Sequence, residues 1–299
     1  MSSYWLTVSM IAMIYAALAL AYNIAVGYVG MLAMSHAASF GVGAYVYALW
    51  GVSDGSGAVF LPSLLVGFAA AAALGVLLGT LLTWLPREYV VMVTFSVQLI
   101  FTAVMMTATD WTRGPAGVAG IPIPEMFGIR FQGVESSLIL TSGLLLITLA
   151  VSVLVLRFPL GMRARMTRDD PVAAEGMGVA TKRISVMFFA LSAGLAGMAG
   201  VVFAGAIGYV DPTSFTVDAS ILVLSMVAIG GLGNPWGVLV GGLSISFLPQ
   251  LLLQLNLSGQ SAAAMQQIFY GLILIGIMVM RPVGLIQENS LVPREGASR

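Results

Sequence analysis

SLILTSGLLLITLAVSVLVL, residues 137–156, decides the fold class: twenty consecutive residues without a charge or a proline. At about 1.5 Å of rise per residue, a helix of that length crosses the roughly 30 Å hydrocarbon core of a bilayer. Its apolar residues do not alternate with polar ones, as a half-buried strand would require. A backbone in lipid must also satisfy its own hydrogen bonds, which a helix does within one segment. The stretch reads as a membrane-crossing helix.

Working outward, similar runs fall at 5–25, 31–50, 60–84, 89–108, 184–207, 218–231, 236–255 and 266–280. The run at 218–231 is short for a full crossing and reads as a broken or re-entrant segment. The expectation is an all-α polytopic bundle of about nine spans, a transmembrane domain over 1–286 followed by a polar tail, 287–299. Composition agrees: 59% of the 299 residues are hydrophobic and 8% charged, whereas a soluble domain carries roughly 25% charged residues to face water. A formal net charge of zero argues against nucleic acid as a partner. The absence of cysteine excludes disulfides, thiol catalysis and thiolate metal sites. Met1-Ser2-Ser3-Tyr4 has no basic n-region, so the first run is not read as a cleaved signal peptide.

If the spans alternate in direction, one side receives Arg87, Arg157, Arg163, Arg165, Arg168, Lys182, Arg183, Arg281, Arg294 and Arg299. The other side receives Arg113 and Arg130 among Asp54, Asp110, Glu125, Glu135, Asp211 and Asp218. The positive-inside rule assigns the basic side to the cytoplasm, with the N-terminus outside and the C-terminus inside. Two connections are long enough for structure of their own: an external one, 109–136, rich in Gly and Pro, and a cytoplasmic one, 157–183, holding six of the basic residues.

The cytoplasmic connection carries the most local information. Asp170 suits an N-cap, and Pro171 suits the first helical position, where a missing N–H costs nothing. A short helix over Val172–Met177 is expected, ended by Gly178 in the left-handed region, with the next helix starting near Thr181. An exposed, capped helix between two spans is a handle for a partner protein to push. An ordinary connector whose basic residues only anchor topology has the same local sequence.

With these residues in view, the chain resembles the branched-chain amino acid permeases of ABC importers, the LivM-type subunit in particular. The resemblance rests on five stretches in the family's order: Asn23-Ile24-Ala25-Val26-Gly27-Tyr28-Val29-Gly30 running into 35–45; Arg113-Gly114-Pro115-Ala116-Gly117-Val118-Ala119-Gly120-Ile121-Pro122; Arg168 through Gly178; Ile229-Gly230-Gly231-Leu232-Gly233-Asn234-Pro235-Trp236-Gly237; and Arg281-Pro282-Val283-Gly284-Leu285. Gln98 departs from it, since many relatives carry Glu in the fourth span. The resemblance implies a bacterial inner-membrane permease that imports branched-chain amino acids. It also implies partners: a second, LivH-type permease, two cytoplasmic ATPase subunits and an external solute-binding protein. Arg168, Asp170, Pro171, Ala174, Glu175, Gly176 and Gly178 would form the ATPase-coupling surface. Urea and short-chain amide permeases resemble the chain too and stay open as substrate classes.

Other features stand without the resemblance. Gly230 and Gly231 interrupt an apolar stretch late in the chain as Gly27 and Gly30 do early, and paired interruptions point to a transport pathway or to close helix packing. His36, the only histidine, is a relay group or, more commonly, a neutral imidazole bonded to a neighbouring helix. Asn23 and Gln98 are candidates for lining the pathway or for interhelical hydrogen bonds. No phosphate-binding Gly-x-x-x-x-Gly-Lys-Ser/Thr motif, metal-ligand cluster or nucleophile–base pair is legible, so no cofactor or metal is expected and the chain is not read as an enzyme. The spans lack the interior ionisable group that an ion-coupled carrier keeps at mid-depth. A secondary carrier working alone and a membrane-embedded enzyme are therefore the weaker alternatives.

Overall fold

The computed structural model describes residues 2–126, 128–253 and 272. The run at 266–280 apart from residue 272, the Arg281–Leu285 stretch, the tail and residues 254–255 lie outside them. The described chain is all-α apart from two pairs of two-residue strands. Its helices are α1 (Ser2–Val29), α2 (His36–Asp54), α3 (Phe60–Leu82), α4 (Arg87–Thr107), α5 (Thr109–Thr112), α6 (Val134–Arg157), α7 (Pro159–Asp169), α8 (Pro171–Gly176), α9 (Thr181–Ile207), α10 (Val217–Gly230) and α11 (Pro235–Leu253). Among the described residues five segments are long and apolar enough to cross a membrane: Tyr4–Val29, Gly57–Leu82, Arg87–Thr107, Val134–Arg157 and Thr181–Ile207. Val217–Gly230 and Pro235–Phe247 are shorter apolar helices.

Burial sorts these helices. The apolar windows of α1 and α9 are 83% and 72% buried, against 28%, 17% and 22% for α3, α4 and α6. A helix apolar all round and buried all round is a central one. So α1 and α9 form the axis, and α3, α4 and α6 present one face each to their surroundings.

Close approach in lipid depends on small residues, since apolar side chains gain nothing by leaving lipid for one another. Helices α2, α3 and α9 meet backbone to backbone. A Cβ on Gly43 would lie 1.8 Å from the Gly197 carbonyl oxygen, one on Gly200 2.0 Å from that of Phe40, and one on Gly197 2.5 Å from that of Gly67. Beside this contact Phe40, Phe203 and Phe215 pack edge to face, their centroids 5.2 to 6.0 Å apart.

The second apolar run differs from its reading as one continuous span over 31–50. Helix α1 ends with Gly30 at φ +77°, residues 30–33 are not helical, and α2 begins at His36. His36 reaches the carbonyl of Leu18, eleven residues before the end of α1 and about 16 Å along it. The chain thus turns back into the bundle before α2 starts. Apolar composition alone does not separate a non-helical buried segment from a helix, which is why the run reads as continuous in the sequence.

The connection at 157–183 holds one more helix than its sequence suggested. Pro159 opens the eleven-residue α7 before α8. At the opposite end, β1 (Val118–Ala119) pairs antiparallel with β4 (Tyr209–Val210), and β2 (Glu125–Met126) with β3 (Ile129–Arg130). The 109–136 and 208–217 connections are therefore one joined surface, fastened to α2 by Tyr47 donating to the Pro122 carbonyl at 2.8 Å.

Gly43→Ala drives a methyl group into the Gly197 backbone, where overpacking costs about 1–3 kcal/mol or more. Thermal unfolding of the detergent-purified variant shows a clearly lowered midpoint. Gly143→Ala, with nothing within 4 Å of its added Cβ, unfolds at or above the parent temperature.

Candidate functional site

A helix that begins inside the bundle exposes N–H groups that its own turns leave unpaired. At the start of α2 these are met by distant side chains, because Ser35 makes no side-chain cap. Ala37 N–H donates to the Ser220 hydroxyl of α10 at 3.1 Å, and Ala38 N–H to Gln98 Oε1 of α4 at 2.8 Å. The other end of the same amide, Gln98 Nε2, donates to the Phe215 carbonyl at 2.7 Å. Just upstream, Met34 N–H donates to Thr94 Oγ1 at 3.0 Å. Gln98 therefore ties two interruptions, the entry to α2 and the single 3-10 turn Pro212–Phe215 before α10. His36 Nε2 lies 3.3 Å from the Leu18 carbonyl, which can only accept, so that nitrogen carries the proton. Its ring packs on Tyr22 with centroids 4.9 Å apart. The positive end of the α2 dipole is thus held in a buried polar shell.

A second convergence lies between α10 and α11. Gly231 and Gly233 take φ of +109° and +85°, which favour glycine. Asn234 Oδ1 accepts from Trp236 N–H at 3.0 Å and starts α11. Gly233 N–H donates to Asn23 Oδ1 of α1 at 2.9 Å. Gly27 makes this possible: its added Cβ would lie 2.1 Å from Asn23 Oδ1 and 2.6 Å from Gly233 N. Gly230 abuts Gly237, whose carbonyl oxygen would sit 2.5 Å from an added Cβ.

The third lies at the basic end. Asp170 Oδ1 accepts from Val172 N–H at 2.9 Å and Ala173 N–H at 3.0 Å, Pro171 occupies the first turn of α8, and Gly178 has φ +81°. Ala174 is the buried face of α8, while Val172, Glu175 and Gly176 face out. The Glu175 carboxylate accepts from the Thr181 hydroxyl at the start of α9. Arg168 Nη1 donates to the Gly27 carbonyl at 2.5 Å, capping the negative end of α1, and its Nε pairs with Asp169 at 3.0 Å. Arg87 does the same for α7, donating to the carbonyls of Arg168 at 2.8 Å and Thr167 at 2.6 Å. A cavity of about 280 Å³ lies beside α8, bordered by Arg87, Pro171, Glu175 and Lys182.

The sequence-predicted residues thus fall into three groups. His36 and Gln98 meet at α2; Asn23, Gly230 and Gly231 meet at the α10–α11 turn; Arg168 and Asp170 to Gly178 form the basic-end connection. Arg87, Thr94 and Ser220 were missed. Thr94, Gln98 and Thr102 stand four apart on one face of a mostly apolar helix, a polar stripe visible in the sequence. Nothing local marks Arg87 as a cap for α7, eighty residues away in sequence.

Interrupted helices closed by side chains from other helices, with several segments long and apolar enough to cross a membrane, define a helical membrane bundle. The chain belongs to the branched-chain amino acid transport system permease component family, whose family model matches residues 4–278. It is 30% identical to the high-affinity branched-chain amino acid transport system permease protein LivM of Escherichia coli K12, over 93% of this chain and 69% of that protein. The LivM protein of Salmonella typhimurium LT2 matches to the same extent. The autoinducer 2 import system permease protein LsrC of Salmonella paratyphi B is 26% identical over 73% of this chain and 61% of its own length. No solved structure matches the chain.

Gln98→Leu removes both bonds of the amide: Ala38 N–H keeps only its 3.2 Å bond to the Ser35 carbonyl, and the buried Phe215 carbonyl loses the amide N–H at a cost of about 1–3 kcal/mol. The unfolding midpoint of the purified variant falls by more than that of Ser96→Ala, an exposed position on the same helix.

Proposed function

We propose that this chain is the LivM-type permease subunit of an ATP-driven importer of branched-chain amino acids in a bacterial inner membrane. The naming of its relatives supports the substrate class: the LivM match covers more of the chain at higher identity than the LsrC match. The chain contains no phosphate-binding loop motif, so ATP hydrolysis falls to two partner subunits at the cytoplasmic face. A LivH-type permease completes the membrane unit, and lipid surrounds it. About nine crossings, with the N-terminus outside and the basic end inside, follow from the positive-inside rule. An external binding protein delivers substrate to the joined 109–136 and 208–217 surface.

The observation that carries the mechanism is the Arg168–Gly27 bond. An ATPase pressing on the exposed face of α8 moves α7, and Arg168 passes the displacement to the end of α1. Four residues before Gly27, Asn23 holds the α10–α11 turn through Gly233. One push at Pro171–Gly178 is thereby delivered to an interrupted helix pair, the kind of element that rearranges during alternating access.

The test is uptake of radiolabelled leucine by vesicles holding both permeases and the ATPases, with binding protein outside. Arg168→Ala lowers uptake by roughly tenfold or more, the loss of one charge-assisted bond, while the ATPase still co-purifies. Glu175→Lys with Gly176→Pro loses both ATPase recruitment and uptake. Persistence of both in the double variant, or uptake by this chain alone, contradicts the proposal.

A further inference from the structure

The first turn of α2 has a second polar face, turned toward α1 and α9, that the Gln98 and Ser220 bonds do not serve. There Tyr22, Ser35, His36, Ser39 and Ser192 border a cavity of about 10 Å³, with Phe189 among its apolar lining. Ser192 is 1% exposed, and its Oγ has no hydrogen-bond partner among the described residues. Serines and threonines inside helices commonly donate to the carbonyl four residues back. Ser225, Ser246, Thr94 and Thr148 of this chain do so, at 2.7 to 3.0 Å. Ser192 does not, and it lines the cavity instead.

We propose that this cavity is a binding site for one water molecule, held by Ser192 Oγ and the polar groups of Tyr22, Ser35, His36 and Ser39. The volume matches the roughly 10–15 Å³ that a single water needs, and the lining supplies the two to four polar partners that make such a water stable. A larger solute does not fit. The water joins α9 to α1 and to the start of α2, since Ser192 belongs to α9, Tyr22 to α1 and His36 to α2. It completes on the α9 side the closure that Gln98 and Ser220 make on the α4 and α10 side. The inference is independent of the transported substrate and of the ATPase.

The discriminating measurement is the sign of a stability change, read with a label for bound water. With the water present, Ser192→Ala removes one of its anchors and lowers the unfolding midpoint of the purified protein by about 2–4 °C. Radiolytic hydroxyl footprinting, which oxidises side chains next to bound water, modifies Tyr22 faster than Tyr28, an equally buried tyrosine. The excess disappears in Ser192→Val, which fills the space. A midpoint that is unchanged or raised in Ser192→Ala overturns the proposal, since deleting a partnerless hydroxyl relieves the fold. So does a Tyr22 oxidation rate no greater than that of Tyr28.

Discussion

A backbone that leaves helical geometry where it is buried among apolar helices must find its hydrogen-bond partners within the protein, and the architecture of this chain follows from how that demand is met. The ladder is broken after α1, before α10 and between α10 and α11. Each break is closed by a polar side chain from a helix remote in sequence. Gln98 serves the first two at once, with its acceptor on Ala38 and its donor on Phe215. Asn23 serves the third, through Gly233. The two buried side-chain amides of the described bundle, Asn23 and Gln98, are thus both spent where the helices are discontinuous.

The same economy explains the glycines. Gly43, Gly67, Gly197 and Gly200 allow three backbones to touch, which holds α2 against α9 although α2 starts within the bundle. Gly27 has a different task, making room for Asn23 beside the turn that Asn23 holds. Helix α1 consequently connects three things: the basic-end connection through the Gly27 carbonyl, the α10–α11 turn through Asn23, and the entry to α2 through the Leu18 carbonyl. A central helix with contacts at all three is suited to pass a displacement from one end of the bundle to its interior. Arg87, by capping α7, stiffens the piece that receives the push.

What the sequence disclosed was what local chemistry determines. Asp170, Pro171 and Gly178 bracket α8 because capping and left-handed termination involve neighbours in the chain. The apolar runs disclosed the helices, since length and lack of charge are enough in lipid. The start of α2 was hidden because Met31-Leu32-Ala33-Met34 is as apolar as a helix would be, yet is not helical, with Met34 in a turn that bonds to Thr94 of α4. Helix α7 was hidden because its eleven residues, PLGMRARMTRD, are short and charged and carry no apolar run like those of the spans. The pairing of Asn23 with Gly233 spans 210 residues, and no local pattern encodes it.

Because the chain has no cysteine, two introduced cysteines are its only labelling sites, and a distance between them can be measured directly. Spin labels at Val172 on α8 and Leu232 in the α10–α11 turn, both exposed, report the two ends of the Arg168–Gly27–Asn23–Gly233 connection. Pulsed electron–electron resonance on the assembled importer, each label also paired with a reference at exposed Ile139 on α6, follows both before and after ATP binding. The account predicts that both positions shift relative to α6, and that Arg168→Ala abolishes the shift at Leu232 while leaving the one at Val172. A shift at Leu232 that survives Arg168→Ala, or motion at Val172 with none at Leu232 in the parent protein, contradicts it.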